Sequence, residues 1–180
     1  MIEIKDLFDK IITLKRNEYL KVKGTIDTNI YYVESGSLRI FVIDKYEEQI
    51  IRFGYENDLI VSLDSFFTEK SSDFYIQAIK KTVVKVISKN KFVEFINENE
   101  KNKQTYTKIL EDLILQHVER EKDILTSSPK ARFQRVLDRS PHLFQKVPNK
   151  HIANYLRMSP ETLSRLKNLD SDQDLSKVNN

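Results

Sequence analysis

The sequence predicts an α+β fold: an N-terminal antiparallel β jelly roll or barrel, a long helix, and a C-terminal helix-turn-helix. Three observations carry this expectation. Short runs rich in Ile, Val, Tyr and Phe recur from Tyr19 to Ile87, punctuated about every 8–12 residues by glycine or polar turns. No glycine or proline interrupts Gln104 to Leu125. A basic block follows, and it ends in two short amphipathic patterns joined at Ser159-Pro160.

The first element is expected to be a short helix. From Ile4 to Leu14 the apolar residues fall at 4, 7, 8, 11, 12 and 14, which is helical spacing. Strands are expected over Tyr19–Lys23, Ile30–Glu34, Ser37–Ile43, Gln49–Gly54, Leu59–Leu63, Phe74–Ile79 and Thr82–Ile87. Their number and spacing point to about eight antiparallel strands closing into a barrel or jelly roll. Gly24 and Gly36 are expected at turns that need positive φ, a structural role. Lys91–Asn99 returns to helical spacing, with Phe92, Phe95 and Ile96 on one side.

Gln104 to Leu125 predicts a helix of about 22 residues, hence ~33 Å long. Tyr106, Leu110, Leu113, His117 and Ile124 recur on one face, and Ile109, Leu115 and Val118 widen it. So broad an apolar face suits a helix that pairs with its twin in a homodimer. Complete packing inside the monomer is the alternative. His117 on this face is expected to be packed or solvated rather than a pH sensor.

Ser127-Ser128-Pro129 breaks the chain and supplies an N-cap with proline at the first helical position. The next helix, Lys130–Arg139, would bury Phe133, Val136 and Leu137. Pro141 ends it, and Leu143 and Phe144 anchor a connector. Ile152, Ala153 and Leu156 then share one face of a short helix. Ser159 caps the last one, Pro160 starts it, and Glu161 suits the positive end of its dipole. Leu163 and Leu166 would face inward, with Glu161, Thr162, Ser164, Arg165 and Lys167 outward. A plain corner between two helices fits this pattern. So does a helix-turn-helix whose second helix enters a major groove.

Charge favours the second reading. Between Thr126 and Leu169 nine basic residues face two acids, Asp138 and Glu161, in a chain whose net charge is +3. A local basic block on a nearly neutral body is the footprint of a phosphate-backbone binder. The tail from Asp170 is polar and expected to lack regular structure.

Composition excludes several classes. With 180 residues, 39% hydrophobic and 32% charged, the chain suits one large or two small globular domains. There is no cysteine, so disulfides, thiol catalysis and thiolate-bound zinc or iron–sulfur clusters are excluded. Three glycines leave no phosphate-cradling loop. No apolar run approaches the ~18 residues of a membrane span, and the N-terminus is not a signal peptide, so a cytoplasmic protein is expected. The histidines, His117, His142 and His151, all follow the barrel, so a cupin-like metal site is not expected. Nor is any nucleophile–base set; the chain is expected to be no enzyme, without catalytic residues, metal or cofactor.

The layout resembles that of the catabolite-activator/fumarate-nitrate-reduction (Crp/Fnr) regulators. Two stretches carry the resemblance. Ile30-Tyr31-Tyr32-Val33-Glu34-Ser35-Gly36-Ser37-Leu38 looks like the family's V-x-x-G-x-(L/V) strand turn. Pro160-Glu161-Thr162-Leu163-Ser164-Arg165 looks like its recognition helix, R-E-T-(V/L)-(S/G)-R. The resemblance covers about residues 5–168. It implies that Glu161 and Arg165 read bases, a role their chemistry suits: arginine forks onto guanine, and a carboxylate accepts from cytosine. Lys150, His151, Thr162, Ser164 and Lys167 would contact phosphates. Pro160 stands where the family often has arginine, which removes one base contact. Arg157 stands where it usually has glycine at the corner. If that residue takes positive φ, it costs about 1 kcal/mol or a little more. The family's winged hairpin has no counterpart.

The same alignment implies a degenerate phosphate cassette. Val61-Ser62 replaces a Gly-Glu pair, and Ser72-Asp73 replaces Arg-Ser/Thr. A cyclic phosphate would lose its cation and meet a carboxylate, which should cost several kcal/mol. The expected organisation is a sensor-like barrel with flanking helices at 1–100, a dimerisation helix and hinge at 101–126, a DNA-binding helix-turn-helix at 127–169 and a tail at 170–180. The expected function is a dimeric, sequence-specific transcriptional regulator of a near-palindromic operator. Its partners would be double-stranded DNA, a second copy, RNA polymerase as a candidate, and an unknown small effector or none; no membrane is expected. The alternative is a ligand-binding jelly roll, cyclic-nucleotide-like or cupin-like, whose helical tail does not bind DNA.

Overall fold

The computed structural model describes residues 7–178, with side chains as far as Asp170. The chain divides into two compact units, Met1–Ile114 and Leu115–Asn180.

The first unit is built on eight strands: β1 (Lys10–Leu14), β2 (Tyr19–Lys21), β3 (Ile30–Ser35), β4 (Ser37–Asp44), β5 (Glu47–Tyr55), β6 (Leu59–Val61), β7 (Tyr75–Ala78) and β8 (Thr82–Ile87). They form two four-stranded sheets, ordered β1-β8-β3-β6 and β2-β7-β4-β5, with antiparallel pairing throughout. This is the expected double-sheet jelly roll. Along most of β8 inward residues alternate with outward ones, as a two-residue period requires. On β8, Val84 and Val86 are buried, while Lys85 between them reaches Glu34 at 2.6 Å. Val33, Leu38, Ile76, Ala78 and Val84 form the fully buried centre between the sheets. Each large aliphatic among them contributes about 2 kcal/mol by leaving water.

The first element corrects the sequence reading. Lys10–Leu14, expected to be helical, is a strand that pairs with β8 from Lys10↔Val86 to Leu14↔Thr82. The run Ile11-Ile12-Thr13 is β-branched, and such side chains fit a pleated surface better than a helical turn. Pairing also covers an edge that β8 would otherwise expose. Residues 4–6 of the expected helix lie outside the described residues.

Gly36 turns β3 into β4 with φ +97, and a Cβ there would lie 2.4 Å from Thr82 Oγ1 and 2.6 Å from the Lys81 carbonyl oxygen. Only glycine fits. A short helix, α1 (Leu63–Thr68), follows β6 where the sequence reading continued the strand to Leu63. Helix α2 (Lys89–Glu98) packs Phe92 edge-on against Phe66 and Tyr106.

Helix α3 (Glu100–Leu125) is unbroken, as expected. Its apolar faces are distributed differently. Tyr106 is taken up by Phe92, and Ile109, Leu110 and Leu113 are half-buried, whereas His117 and Ile124 are exposed. Ile114, Leu115, Val118 and Leu125 are also exposed. At ~100° per residue, Ile114, Val118 and Leu125 share one stripe, about 100° around the helix from the Tyr106–Ile124 line. The open apolar stripe is therefore not centred on the residues that the periodicity singled out.

The second unit is helical: the end of α3, then α4 (Pro129–Arg139), α5 (Leu143–Lys146), α6 (Asn149–Tyr155) and α7 (Pro160–Val178). Ser128 caps α4 by accepting from the Ala131 N–H, with Pro129 in the first turn. Phe133, Val136, Leu143, Val147, Ile152, Ala153, Leu156 and Leu163 form its core. Phe144 meets Phe133 edge-on at 5.4 Å. The tail departs from expectation. Helical backbone continues past Asp170 to Val178, because no glycine or proline after Pro160 stops it. Asn179 and Asn180 lie outside the described residues.

Candidate nucleic-acid interface and barrel cassette

Helix α6 stops in a Schellman arrangement. The Met158 N–H donates to the Ala153 carbonyl and the Arg157 N–H to the Asn154 carbonyl, both at 3.0 Å. That closure puts a left-handed residue just beyond the helix. Here it is Arg157, with φ +54, in a position that glycine usually fills. The conditional in the sequence reading is thus met, and the corner carries about 1 kcal/mol of backbone strain.

Two residues later α7 begins. Ser159 Oγ accepts from the Thr162 N–H at 3.2 Å, which satisfies an amide that has no helical partner. Leu163 is fully buried beneath the helix. Glu161, Ser164 and Arg165 stand exposed on the other side. The Glu161 carboxyl is held below its usual range by its own backbone amide in the first turn, then by the Ser159 hydroxyl and Arg165. It therefore presents an ionised acceptor beside an arginine fork.

The residues expected on phosphates are distributed over two helices. Lys150 and Ser164 are exposed, while His151, Thr162 and Lys167 are half-buried. Lys167 Nζ donates to Asn149 Oδ1 at 3.1 Å, which brings the start of α6 beside α7. Thr162 has turned its hydroxyl toward Ser159, 3.1 Å away.

Several of the nine basic residues face inward, which the charge census could not reveal. Asp123 near the end of α3 is completely buried and accepts from Arg135 Nε at 3.2 Å and from Arg139. Arg135 also reaches Glu119 at 2.8 Å. Arg132 is buried and donates to the carbonyls of Thr126, at 2.8 Å, and Arg157, at 3.2 Å. Arg120 donates to the Tyr155 carbonyl at 2.7 Å, and its guanidinium lies 3.6 Å from the centre of the Tyr155 ring. Burial holds the Arg120 and Arg157 guanidinium groups below their ordinary value. None of these internal roles has a sequence signature.

In the barrel, two of the four residues assigned to the cassette, Ser62 and Ser72, are in contact. Ser62 Oγ lies 3.0 Å from Ser72 Oγ and from Asp64 Oδ1. Val61 ends β6 beside them. Asp73 points outward and pairs with Lys23 at 3.0 Å. Sequence reading missed the neighbours. Asp27 is buried and accepts from the Tyr31 hydroxyl at 2.8 Å and from Asn29, and its own N–H donates to Ser65 Oγ at 2.8 Å. Burial, then the Asp27 carboxylate, pushes the Tyr31 hydroxyl up. Lys21 is buried and donates to the carbonyls of Val22 and Phe74; desolvation lowers its pKa, opposed by Asp64, Asp27 and Asp73. A groove of ≈ 380 Å³ lined by Tyr19, Lys21, Asp27 and Tyr31 opens alongside. Asp27, Asp64 and Asp73 thus outnumber Lys21 and Lys23 around the groove.

Among the described residues, no group of three or more His, Cys, Asp or Glu is placed to hold a metal ion. No helix among them is long and apolar enough to cross a membrane.

Comparison with known proteins bears on the fold and on the first unit. FixK2 from Bradyrhizobium japonicum superposes with a TM-score of 0.77 at 14% identity, covering 92% of this chain and 85% of its own. A CooA mutant from Carboxydothermus hydrogenoformans gives 0.71 at 17%, over 91% and 77%. The catabolite activator protein of Thermus thermophilus gives 0.53 at 16%, over 92% and 79%. Identities this low establish a shared fold and no more. No curated protein matches the sequence. Residues 11–99 match the family profile of the cyclic nucleotide-binding domain. The two-sheet barrel of this chain is thus similar to cyclic nucleotide-binding domains over residues 11–99, and the chain shares its fold with these three solved structures.

Proposed function

We propose that the chain is a homodimeric, sequence-specific DNA-binding regulator of transcription, a divergent member of the Crp/Fnr type. One observation supports this above the rest. Helix α7 buries Leu163 beneath it and holds Glu161, Ser164 and Arg165 on its free side, at the end of a capped, sharply turned corner. In this reading α6 and α7 form a helix-turn-helix, and α7 enters the major groove. Glu161 and Arg165 read base edges, while Lys150, His151, Thr162, Ser164 and Lys167 hold the backbone. The exposed stripe of α3, Ile114, Val118 and Leu125, joins two copies. The two reading helices then sit about 34 Å apart on a near-palindromic site. RNA polymerase is the candidate partner, the cytoplasm the compartment, and the effector of the barrel something other than a cyclic nucleotide, or nothing.

Selection from a random duplex pool tests the proposal. Enrichment of a two-fold symmetric sequence is the expected result, and enrichment of no symmetric site would refute it. The match over residues 11–99 favours a second reading, a ligand-binding barrel with a helical tail that leaves DNA alone. That reading gains if selection fails while a small molecule raises the melting temperature of the chain.

A further inference from the structure

We infer that Arg120 and Arg132 are positioning residues for the reading helix: together they hold the left-handed corner at Arg157 and so set the direction in which α7 leaves it. The inference rests on the reading of α7 proposed above.

The argument starts from backbone carbonyls. A helix ends with four carbonyl groups that no later helical amide can reach. In α6 the Schellman closure satisfies two of them, Ala153 and Asn154. The Tyr155 carbonyl has no amide in that closure. It accepts instead from Arg120 Nη2, at 2.7 Å, and the same guanidinium lies over the Tyr155 ring. A cation is also the favourable charge at a helix C-terminus. Two residues on, the Arg157 carbonyl accepts from Arg132 Nη2 at 3.2 Å. The left-handed residue is therefore gripped on both sides, from α3 at Tyr155 and from α4 at its own carbonyl.

A glycine at this corner would need no such grip, since it adopts positive φ without a clash. An arginine at φ +54 tends to relax toward negative φ, and that rotation would swing the start of α7. The two guanidinium groups oppose it. Arg132 is itself fixed by a second bond, to the Thr126 carbonyl just after α3. The corner thus takes its orientation from the end of α3 rather than from its own residues. On the proposed dimer, this would fix the separation of the two reading helices.

Hydrogen exchange and operator selection on the full chain test this. The variants are Arg120→Lys and Arg132→Lys, each alone and combined with Arg157→Gly. Lysine keeps the charge but loses the fork, so the fold should survive. Each single lysine variant should speed amide exchange from Arg157 to Leu166 about tenfold while leaving α4 protected. Each should also broaden the half-site spacing accepted in selected duplexes. Adding Arg157→Gly should reverse both effects. Exchange that is unchanged, that rises equally across α4, or that Arg157→Gly fails to restore would overturn the inference. If the wild type selects no duplex, DNA reading falls, while the exchange measurements still decide whether the clamp exists.

Discussion

Asp123, near the C-terminal end of α3, is completely shielded from solvent and shares its carboxylate between Arg139 and Arg135 of α4. A buried charge that loses its partners is strongly penalised, and so are the partners it leaves behind. Asp123→Asn should therefore cost about 3 kcal/mol of stability in the helical unit. Urea unfolding followed by a probe in that unit would show it. A change within ~0.5 kcal/mol would mean that the arginines find equal partners in water.

Arg165 and Lys150 should differ in kind. Arg165→Ala should relax one base position in each half-site, at about 1–3 kcal/mol for the favoured base. Lys150→Ala should weaken every sequence alike and lower the slope of log affinity against log salt by about 1. Repeating the selection with each variant distinguishes them. A uniform loss for Arg165→Ala would reassign it to the backbone.

The open stripe on α3 makes Val118 a direct probe of pairing. Val118→Glu would bury an unpaired carboxylate at a two-fold interface, where burial without a partner is prohibitive. Sedimentation should shift from dimer to monomer, and DNA affinity should fall with it. A monomer already present in the wild type would remove the basis for the proposed dimer.

Asp9 ties the start of β1 to α2. Its carboxylate meets Lys91 Nζ at 2.6 Å and accepts from the Ser88 N–H at 2.8 Å. The Lys91 hydrogen bond first, then Ser88, lowers its pKa from 3.8 to about 2. The folded value lies below the unfolded one, so the contribution is complete above about 3.8 and is lost as pH falls toward about 2. Asp9→Asn should flatten this part of the acid unfolding curve. An identical acid limb in the two proteins would refute the assignment.

Calorimetry with cAMP should give no heat. The position that the resemblance assigns to the phosphate offers Ser62 and Ser72 hydroxyl groups, with Asp64 bonded to Ser62 and Asp73 next to Ser72 in the chain. Lys21, the buried ammonium nearby, is committed to two carbonyls. Micromolar binding would overturn the cassette argument.

Much of this architecture was readable from residue order. The strands from Tyr19 to Ile87 declared themselves as short runs rich in Ile, Val, Tyr and Phe between turns such as Ser35-Gly36, because strand composition and turn residues leave a local mark. The caps at Ser128-Pro129 and Ser159-Pro160 did so for the same reason. Lys10–Leu14 misled because six apolar residues over eleven positions fit a helix and a strand alike, and only the open edge of β8 distinguishes them. The stripe on α3 misled because a helix with apolar residues around much of its circumference does not say which side its own chain will cover.

Sequence alone determined which residues α7 can offer outward, because Leu163 and Leu166 fix its inner face by helical period. It also determined that no thiol chemistry is available. Tertiary structure decided the charges and the corner. Arg132, Arg135 and Arg139 look in sequence like part of a DNA-facing block, yet they turn inward to Thr126, Arg157 and Asp123, and Arg120 of α3 turns to Tyr155. A guanidinium's role depends on which carboxylates and carbonyls lie within about 3 Å, and chain order does not encode that distance between separate elements.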